Sequence, residues 1–370
     1  MRTDPFANAE AQVIGPARPY RQRDHIPVTH QHIFTMECIL TASRIIEILR
    51  EDQHFATWLD YLDEIGPPPV AISLVDGDAF MAALADLDVP VDDIETLISL
   101  RFQIESDPDL WWILVRAVHS LLLRMDIVDS PPGFHPMPIA IGPIAPFFYV
   151  YVFVMMLAHT KALHHRRSIP EVITIATMAD IGRNMLVHRK WHGTHGLAAP
   201  DWLTLHPRGM IYQLGRLQFE RSDIDKTTGN AIAAVGLPYR TGDSCLSIHI
   251  PDFMGSMSAA ACDDSFHQAS IFFADHFPEE EFHIAVCNSW LLDKQLKDYL
   301  KPASNVLSFQ SRFRQIRPAE WNNDGPIRFV FGPIDEPLES LPQDTSIQRA
   351  VVSHIQAGRS WHGGMGWMEL

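Results

Sequence analysis

The sequence predicts a two-part protein, a mainly helical first half followed by a strand-rich α/β second half. Three observations carry this. The chain has 370 residues, and single cores stop growing at roughly 250–300 residues. Apolar residues recur at helical spacing as far as His188. After Trp191 the pattern changes to short strand-like runs alternating with helices, punctuated by Gly193, Gly196, Pro200, Pro207 and Gly209. That alternation implies α/β layering with some parallel strands. The division expected is an arm, residues 1–26, a helical domain, 27–190, and an α/β domain, 191–370.

The helical half reads as follows. Met36 to Leu49 places Ile39, Ala42, Ile45, Ile46 and Leu49 on one stripe. Gly66 and the prolines at 67–69 break the chain. Ala79 to Leu87, Pro90 to Ile104 and Asp107 to Met125 follow, the last with a wide apolar face. Pro136 to Leu157 carries no charge, yet four prolines would break a helix across its first half. The clean run from Phe147 to Leu157 spans only about 16 Å, against roughly 30 Å of hydrocarbon. A buried core helix is the expectation. Pro170 and Glu171 open another helix, running to about His188.

In the second half, Met210 to Phe219, Leu246 to Ile250, Phe282 to Leu292 and Ile327 to Phe331 read as strands. Ser258 to His276 reads as a helix, and Gln295 to Leu300 and Asn305 to Phe313 as short ones. Thr345 to Ala357 is a last helix with Thr345 as cap and Gly358 as stop.

Composition limits the function. Hydrophobic residues make up 46% and charged residues 20%, with net charge −16. A general nucleic-acid or anionic-membrane surface does not fit that charge. The four cysteines, Cys38, Cys245, Cys262 and Cys287, are scattered and form no CxxC. Neither a disulfide framework nor a cysteine metal site is expected. The polar N-terminus lacks an apolar targeting stretch, so a reducing cytoplasm is the expected setting.

Several constellations of residue types could carry chemistry. His188 and His192 are an i,i+4 pair with His195 and His206 beyond. Two such histidines fit a metal on one helix face. No glutamate stands between them as in HExxH, and histidines at a helix end suit its dipole anyway; no metal is expected. Walker A, GxGxxG and GxSxG patterns are absent from the sequence. The stretch from Leu246 to Phe273 is more informative. A strand ends at Pro251, a loop carries Gly255, Ser256 and Met257, and a helix starts near Ser258. Free N–H groups at such a helix start suit a pyrophosphate, and Gly-Ser there is equally an ordinary cap.

The runs Gly209–Phe219, Ile248–Pro251, Asp264–Pro278, Cys287–Leu292 and Ser304–Phe313 together resemble a bacterial acyltransferase family. Its members join a helical N-terminal domain to a GNAT-like (GCN5-related N-acetyltransferase) C-terminal domain, a mixed sheet flanked by helices. The match is specific from about Ile181, Gly182 and Arg183 to Gly358. The resemblance implies transfer of an acyl group from acetyl-CoA or another acyl-CoA, a co-substrate, to a small-molecule amine. It places the CoA pyrophosphate on Gly255, Ser256, Met257 and Ser258, with Ile250, Asn305 and Phe309 alongside. It puts the acyl carbonyl where two strands splay, near His249–Ile250 and Cys287–Trp290, where backbone N–H groups would steady an oxyanion. The family's Arg/Gln-x-x-Gly-x-Gly/Ala cradle is absent here, and Phe309 stands where a proton-donating tyrosine is usual. Tyr299, Ser304 and Cys287 are the candidate substitutes.

Individual side chains admit two readings each. His249 is a general base or a satisfied strand histidine. Cys287 is a nucleophile or a buried thiol. Glu220 and Asp223 are acceptor-site acids or solvated charges. Arg312, Arg314 and Arg317 meet a CoA phosphate or line a solvated helix face. Two rivals to the enzyme stand beside it. One is a non-catalytic GNAT-like module that binds an acyl-CoA or a partner. The other is a thioesterase. Oligomerisation is left open.

Overall fold

A computed structural model describes residues 44–129, 133–316, 323–333 and 336–370. The expected arm, Cys38, the start of the first helix and Arg317 lie outside the described residues.

The helical half contains α1 (Ile45–Arg50), α2 (Gln53–Ile65), α3 (Gly77–Asp86), α4 (Val91–Ser106), α5 (Pro108–Leu122), α6 (Phe148–Arg166), α7 (Glu171–Met178), α8 (Asp180–His192) and the single turn α9 (Pro200–Leu203). Caps explain several starts. The Asp52 carboxylate accepts from the N–H groups of His54 and Phe55, and Asp107 does the same for Asp109 and Leu110, with Pro108 in the first turn. Helix α6 is the central post. Among the described helices it alone is long and apolar enough to span a bilayer. Its apolar residues are instead buried in protein, with Val150, Tyr151, Val152 and Phe153 fully covered. The Tyr151 hydroxyl donates to the Leu97 carbonyl at 2.5 Å, so a polar tip is satisfied inside that core.

The second half contains β1 (Ile211–Leu214), β2 (Leu217–Asp223), α10 (Lys226–Ala234), β3 (Ser244–His249), α11 (Ala259–His276), β4 (Ile284–Asn288), α12 (Asn305–Gln310), β5 (Arg314–Ile316), α13 (Asp324–Phe331), α14 (Ser346–Gln356) and β6 (Met365–Glu369). The strands form one sheet in the order β1-β2-β3-β4-β6-β5. Only β3 and β4 run parallel; the other pairs are antiparallel. One sheet face packs on α11 through Tyr212, Phe219, Ile248, Phe272, Phe273 and other apolar residues.

The sequence expectation of helices followed by a mixed sheet flanked by helices is borne out, with local corrections. Met210 to Phe219 is a hairpin, because Gly215 takes φ +65° at the first position of a two-residue turn, a conformation open to glycine. The helix expected to run through to His188 breaks at Ala179 into α7 and α8. Ile327 to Phe331 is helical: Ile327, Val330 and Phe331 share the face packed on Trp361 and Leu296, while Phe329 points outward. β-Rich composition masked an i, i+3, i+4 stripe there. The strand from Phe282 to Leu292 is cut to β4, and α2, α10, β5 and β6 were not foreseen.

Candidate active site

Strand alternation builds the site. In β2, Phe219 and Leu217 join the core beneath α11, so Gln218 and Glu220 point to the opposite face. The β2–β3 register sets Gln218 directly opposite His249 and Glu220 opposite Ser247. His249 and Glu220 therefore meet diagonally, with Nε2 and Oε2 at 2.7 Å. Both are partly exposed, at 27% and 22%. A carboxylate that close fixes which imidazole nitrogen carries the proton: Nε2–H donates to Glu220, leaving Nδ1 to accept.

The helical half closes over this face. The Trp202 ring lies 4.4 Å from the His249 ring. Behind it sits a buried polar network. His206 Nε2 is 3.0 Å from Asp180 Oδ2, Arg183 Nε donates to Asp180 Oδ1 at 2.8 Å, and Arg183 also reaches Gln213 Oε1 at 3.2 Å. Burial pushes the Asp180 carboxyl up, but His206 and Arg183 outweigh it and hold it well below the usual carboxylate range. Gln218 touches His206 at 3.5 Å.

Beyond Ser247 and Val286, β3 and β4 no longer pair, although β3 continues to His249 and β4 to Asn288. The paired stretch thus ends short of His249, the last residue of β3. Past it the chain turns through Pro251–Ser258 into α11. Gly255 takes φ +74°. Arg216, in the β1–β2 turn, donates to the Gly255 and Pro251 carbonyls, both at 3.1 Å. With their carbonyls turned to Arg216, the N–H groups of residues 256–260 make no hydrogen bond to another described residue. Ser258 caps the helix by accepting from Ala261 N–H at 3.2 Å. Asn305 donates to Ser256 Oγ at 2.8 Å, which brings α12 against the loop. The loop is thus built like a helix-start anion cradle.

The remaining candidates fall elsewhere. Cys287 is buried and its thiol is pushed up to about 12 by burial, so the nucleophile reading loses its thiolate. Tyr299 donates to, or accepts from, His354 Nδ1 at 2.9 Å and packs by Trp361 in a separate cluster. Ser304 caps α12 through Leu307 N–H. Phe309 is fully buried against Phe313. Met257 is buried in the sheet core and Ile250 packs on that core's margin. Arg312 is engaged by Asp263 at 2.6 Å and Arg314 lies 5.0 Å from the Trp367 ring. The His188 and His192 rings lie 4.6 Å apart, tilted by 40°, and no group of metal-ligating side chains occurs among the described residues. Trp202 and Arg216 carry no signal in the sequence, and His206, noted there beside a metal reading, is instead the partner of Asp180. Only the pairing of Glu220 with His249 was within reach, because alternation on adjacent strands places them on one face.

Residues 78–209 match the N-acyltransferase N-terminal domain and residues 211–368 the GNAT-like C-terminal domain. A crystal structure of an acyltransferase in complex with decanoyl-CoA is 34% identical, covering 88% of this chain and 99% of its own, with TM-score 0.78. An acyltransferase in complex with decanoyl-CoA and teicoplanin gives 34% identity, the same coverage and TM-score 0.79. A tryptophan-to-alanine mutant acyltransferase with octanoyl-CoA gives 33% identity, again 88% and 99% coverage, and TM-score 0.79. Comparison with curated protein sequences gave no match.

Proposed function

Because the chain belongs to the acyltransferase family that joins an N-acyltransferase N-terminal domain to a GNAT-like C-terminal domain, and is an acyl-CoA-dependent acyltransferase, we propose that it moves a medium-length acyl group onto an amine of a small-molecule acceptor, with His249 as base. The observation that carries this is the Glu220–His249 pair at 2.7 Å just past the end of the β3–β4 pairing, beside the Gly255 loop. The donors named for the neighbours are octanoyl- and decanoyl-CoA, which favours a longer acyl group over acetyl. A neighbour also holds teicoplanin, which favours a small-molecule acceptor.

The loop N–H groups of residues 256–260 would hold the pyrophosphate, steadied by Arg216 and Asn305. The neutral amine attacks the thioester carbonyl, the C–N bond forms and the C–S bond breaks. His249 Nδ1 takes the amine proton. That proton returns to the departing thiolate, so one histidine closes the balance and the missing tyrosine at Phe309 leaves no gap. Orientation and a preformed proton acceptor are the protein's share. The non-catalytic reading has no use for a paired base at the end of that pairing.

The division into an arm, residues 1–26, a helical domain, 27–190, and a GNAT-like domain, 191–370, is part of this proposal. So is a cytoplasmic setting, which fits the buried free thiols Cys245, Cys262 and Cys287. The test is His249→Ala. Decanoyl-CoA affinity by calorimetry should hold while turnover falls by about 10²–10⁴. Turnover at the wild-type level would refute the base.

A further inference from the structure

Strand β4 carries Ile284, Ala285, Val286 and Cys287, all apolar, and ends on an asparagine, Asn288. Ala285 and Cys287 join the core beneath α11. Ile284 and Val286 pack with Ile232 and Cys245 on the opposite face. Alternation therefore puts Asn288 on that opposite face, the one that carries Glu220 and His249. The register of β3 and β4 places it further. Ser247 is the partner of Val286, and each strand runs two residues on, to His249 and to Asn288. The two residues thus hold equivalent positions in adjacent strands, on one face, just beyond the last paired residues.

The backbone at Asn288 is held from its other edge. It pairs with Met365 of β6, and the next N–H, of Ser289, donates to the Gly364 carbonyl at 2.9 Å. The side chain is exposed, and no described residue hydrogen-bonds its carboxamide. Asparagine is disfavoured in strands, so packing does not account for an amide here. What the residue supplies is an N–H donor on a fixed stem. The β2–β3 side supplies the converse. Glu220 takes the Nε2–H of His249, and Nδ1 is left to accept.

We propose that Asn288 is a catalytic donor in the acyl transfer: its Nδ2–H hydrogen-bonds the thioester oxygen from the β4 side, while His249 serves the amine from the β3 side. The inference rests on the reading of His249 as the amine's base. As the C–N bond forms, the π pair of the carbonyl moves onto oxygen, and the carboxamide stabilises that charge without giving up a proton. As the C–S bond breaks, the pair returns and the carbonyl re-forms. The amine proton travels only through His249, to the departing thiolate. A donor carried on a paired strand is in place before the charge develops, which is the condition for a large effect.

The test uses the full chain and decanoyl-CoA labelled with ¹³C at the thioester carbonyl. Infrared difference spectra of the bound thioester should place its carbonyl stretch higher in Asn288→Ala than in wild type, because a hydrogen bond to the oxygen lowers it. Decanoyl-CoA affinity by calorimetry should hold, which also shows that the variant is folded. Turnover with hydroxylamine as acceptor should fall about 10²–10³-fold. Asn288→Asp keeps the shape without the N–H and should fall at least as far. An unmoved band in Asn288→Ala overturns the proposal. So does an equal loss of affinity for decanoyl-CoA and for CoA itself, which would assign the carboxamide to the pantetheine arm. His249→Ala separates the two readings: it should lower turnover and leave the band in place. A band that moves in Asn288→Ala, with wild-type turnover in His249→Ala, would keep the donor and discard the base.

Discussion

A carboxylate 2.7 Å from an imidazole orients the ring and fixes which of its nitrogens is left to accept. Glu220→Gln keeps the shape and removes the charge. Turnover should fall about ten- to a hundredfold with acyl-CoA binding unchanged, since the histidine can still act but is less well held; equal turnover would show that the pair is only a surface contact. Cys287 makes the opposite case. A thiol pushed up to about 12 is almost wholly protonated at neutral pH. Iodoacetamide should leave Cys287 unlabelled in the native protein, as mass spectrometry would show, and Cys287→Ala should keep full turnover. His164 carries a pH effect on stability. Burial lowers it from 6.5 to about 4. Its Nδ1 lies 2.8 Å from Thr174 Oγ1, and its Nε2 is buried without a partner among the described residues. The folded state thus binds this proton less well than the unfolded chain. Stability is full above about pH 6.5 and is lost as pH falls towards 4, by at most about 3 kcal/mol. Urea midpoints at pH 7.5 and 5 would show the drop. His164→Leu should flatten it; an unchanged slope would place the effect elsewhere.

At the scale of elements, close approach decides which glycines are fixed. Gly182 is the third residue of α8, and its N–H donates to the Leu87 carbonyl at 2.9 Å. A Cβ there would fall 1.8 Å from the Asp88 carbonyl oxygen, which is backbone and cannot turn aside. Gly182→Ala should therefore push α8 off the α3–α4 connection, disturbing Asp180 and Arg183 on the same turn. A loss of about 2–4 kcal/mol is expected, read as a lowered thermal midpoint; an unaffected midpoint would mean that the helices part freely. Sequence alone showed this glycine only as part of a familiar string. What periodicity showed well were elements with one strong face and a clear cap, such as α5 behind Asp107 and α14 behind Thr345, whose box with Gln348 is complete. What it missed were elements defined by their neighbours. β6 holds two partners, yet its sequence is mostly glycine, methionine and tryptophan. The loop that leads into α11 was legible from Gly255 and Ser258, whereas Arg216, which donates to its carbonyls, lies 39 residues away from Gly255.

Across the whole molecule, the helical half and the sheet are joined by a charged seam that no local pattern could reveal. Asp126, just beyond α5, bonds Arg221 of β2 through Oδ1 and Arg167, just beyond α6, through Oδ2. Both guanidiniums lie on the Phe277 ring, at 4.3 and 4.4 Å, and Glu280 holds the far side of Arg221. Arg221 is only 3% exposed, so its charge depends on these partners rather than on water. Asp126 also has φ +63°, a conformation that asparagine tolerates about as well as aspartate. Asp126→Asn therefore isolates the charge, whereas Asp126→Ala would add backbone strain. The asparagine variant should lose about 2–3 kcal/mol, because two arginines share a neutral amide in place of a carboxylate. The seam binds the two halves into one cooperative unit. Helical circular dichroism and tryptophan fluorescence should thus shift together on heating, to a lower midpoint in the variant. If the wild type already melts in two separate steps, the seam does not couple the halves. If the variant melts as wild type does, Glu280 and Glu279 alone suffice to hold the arginines.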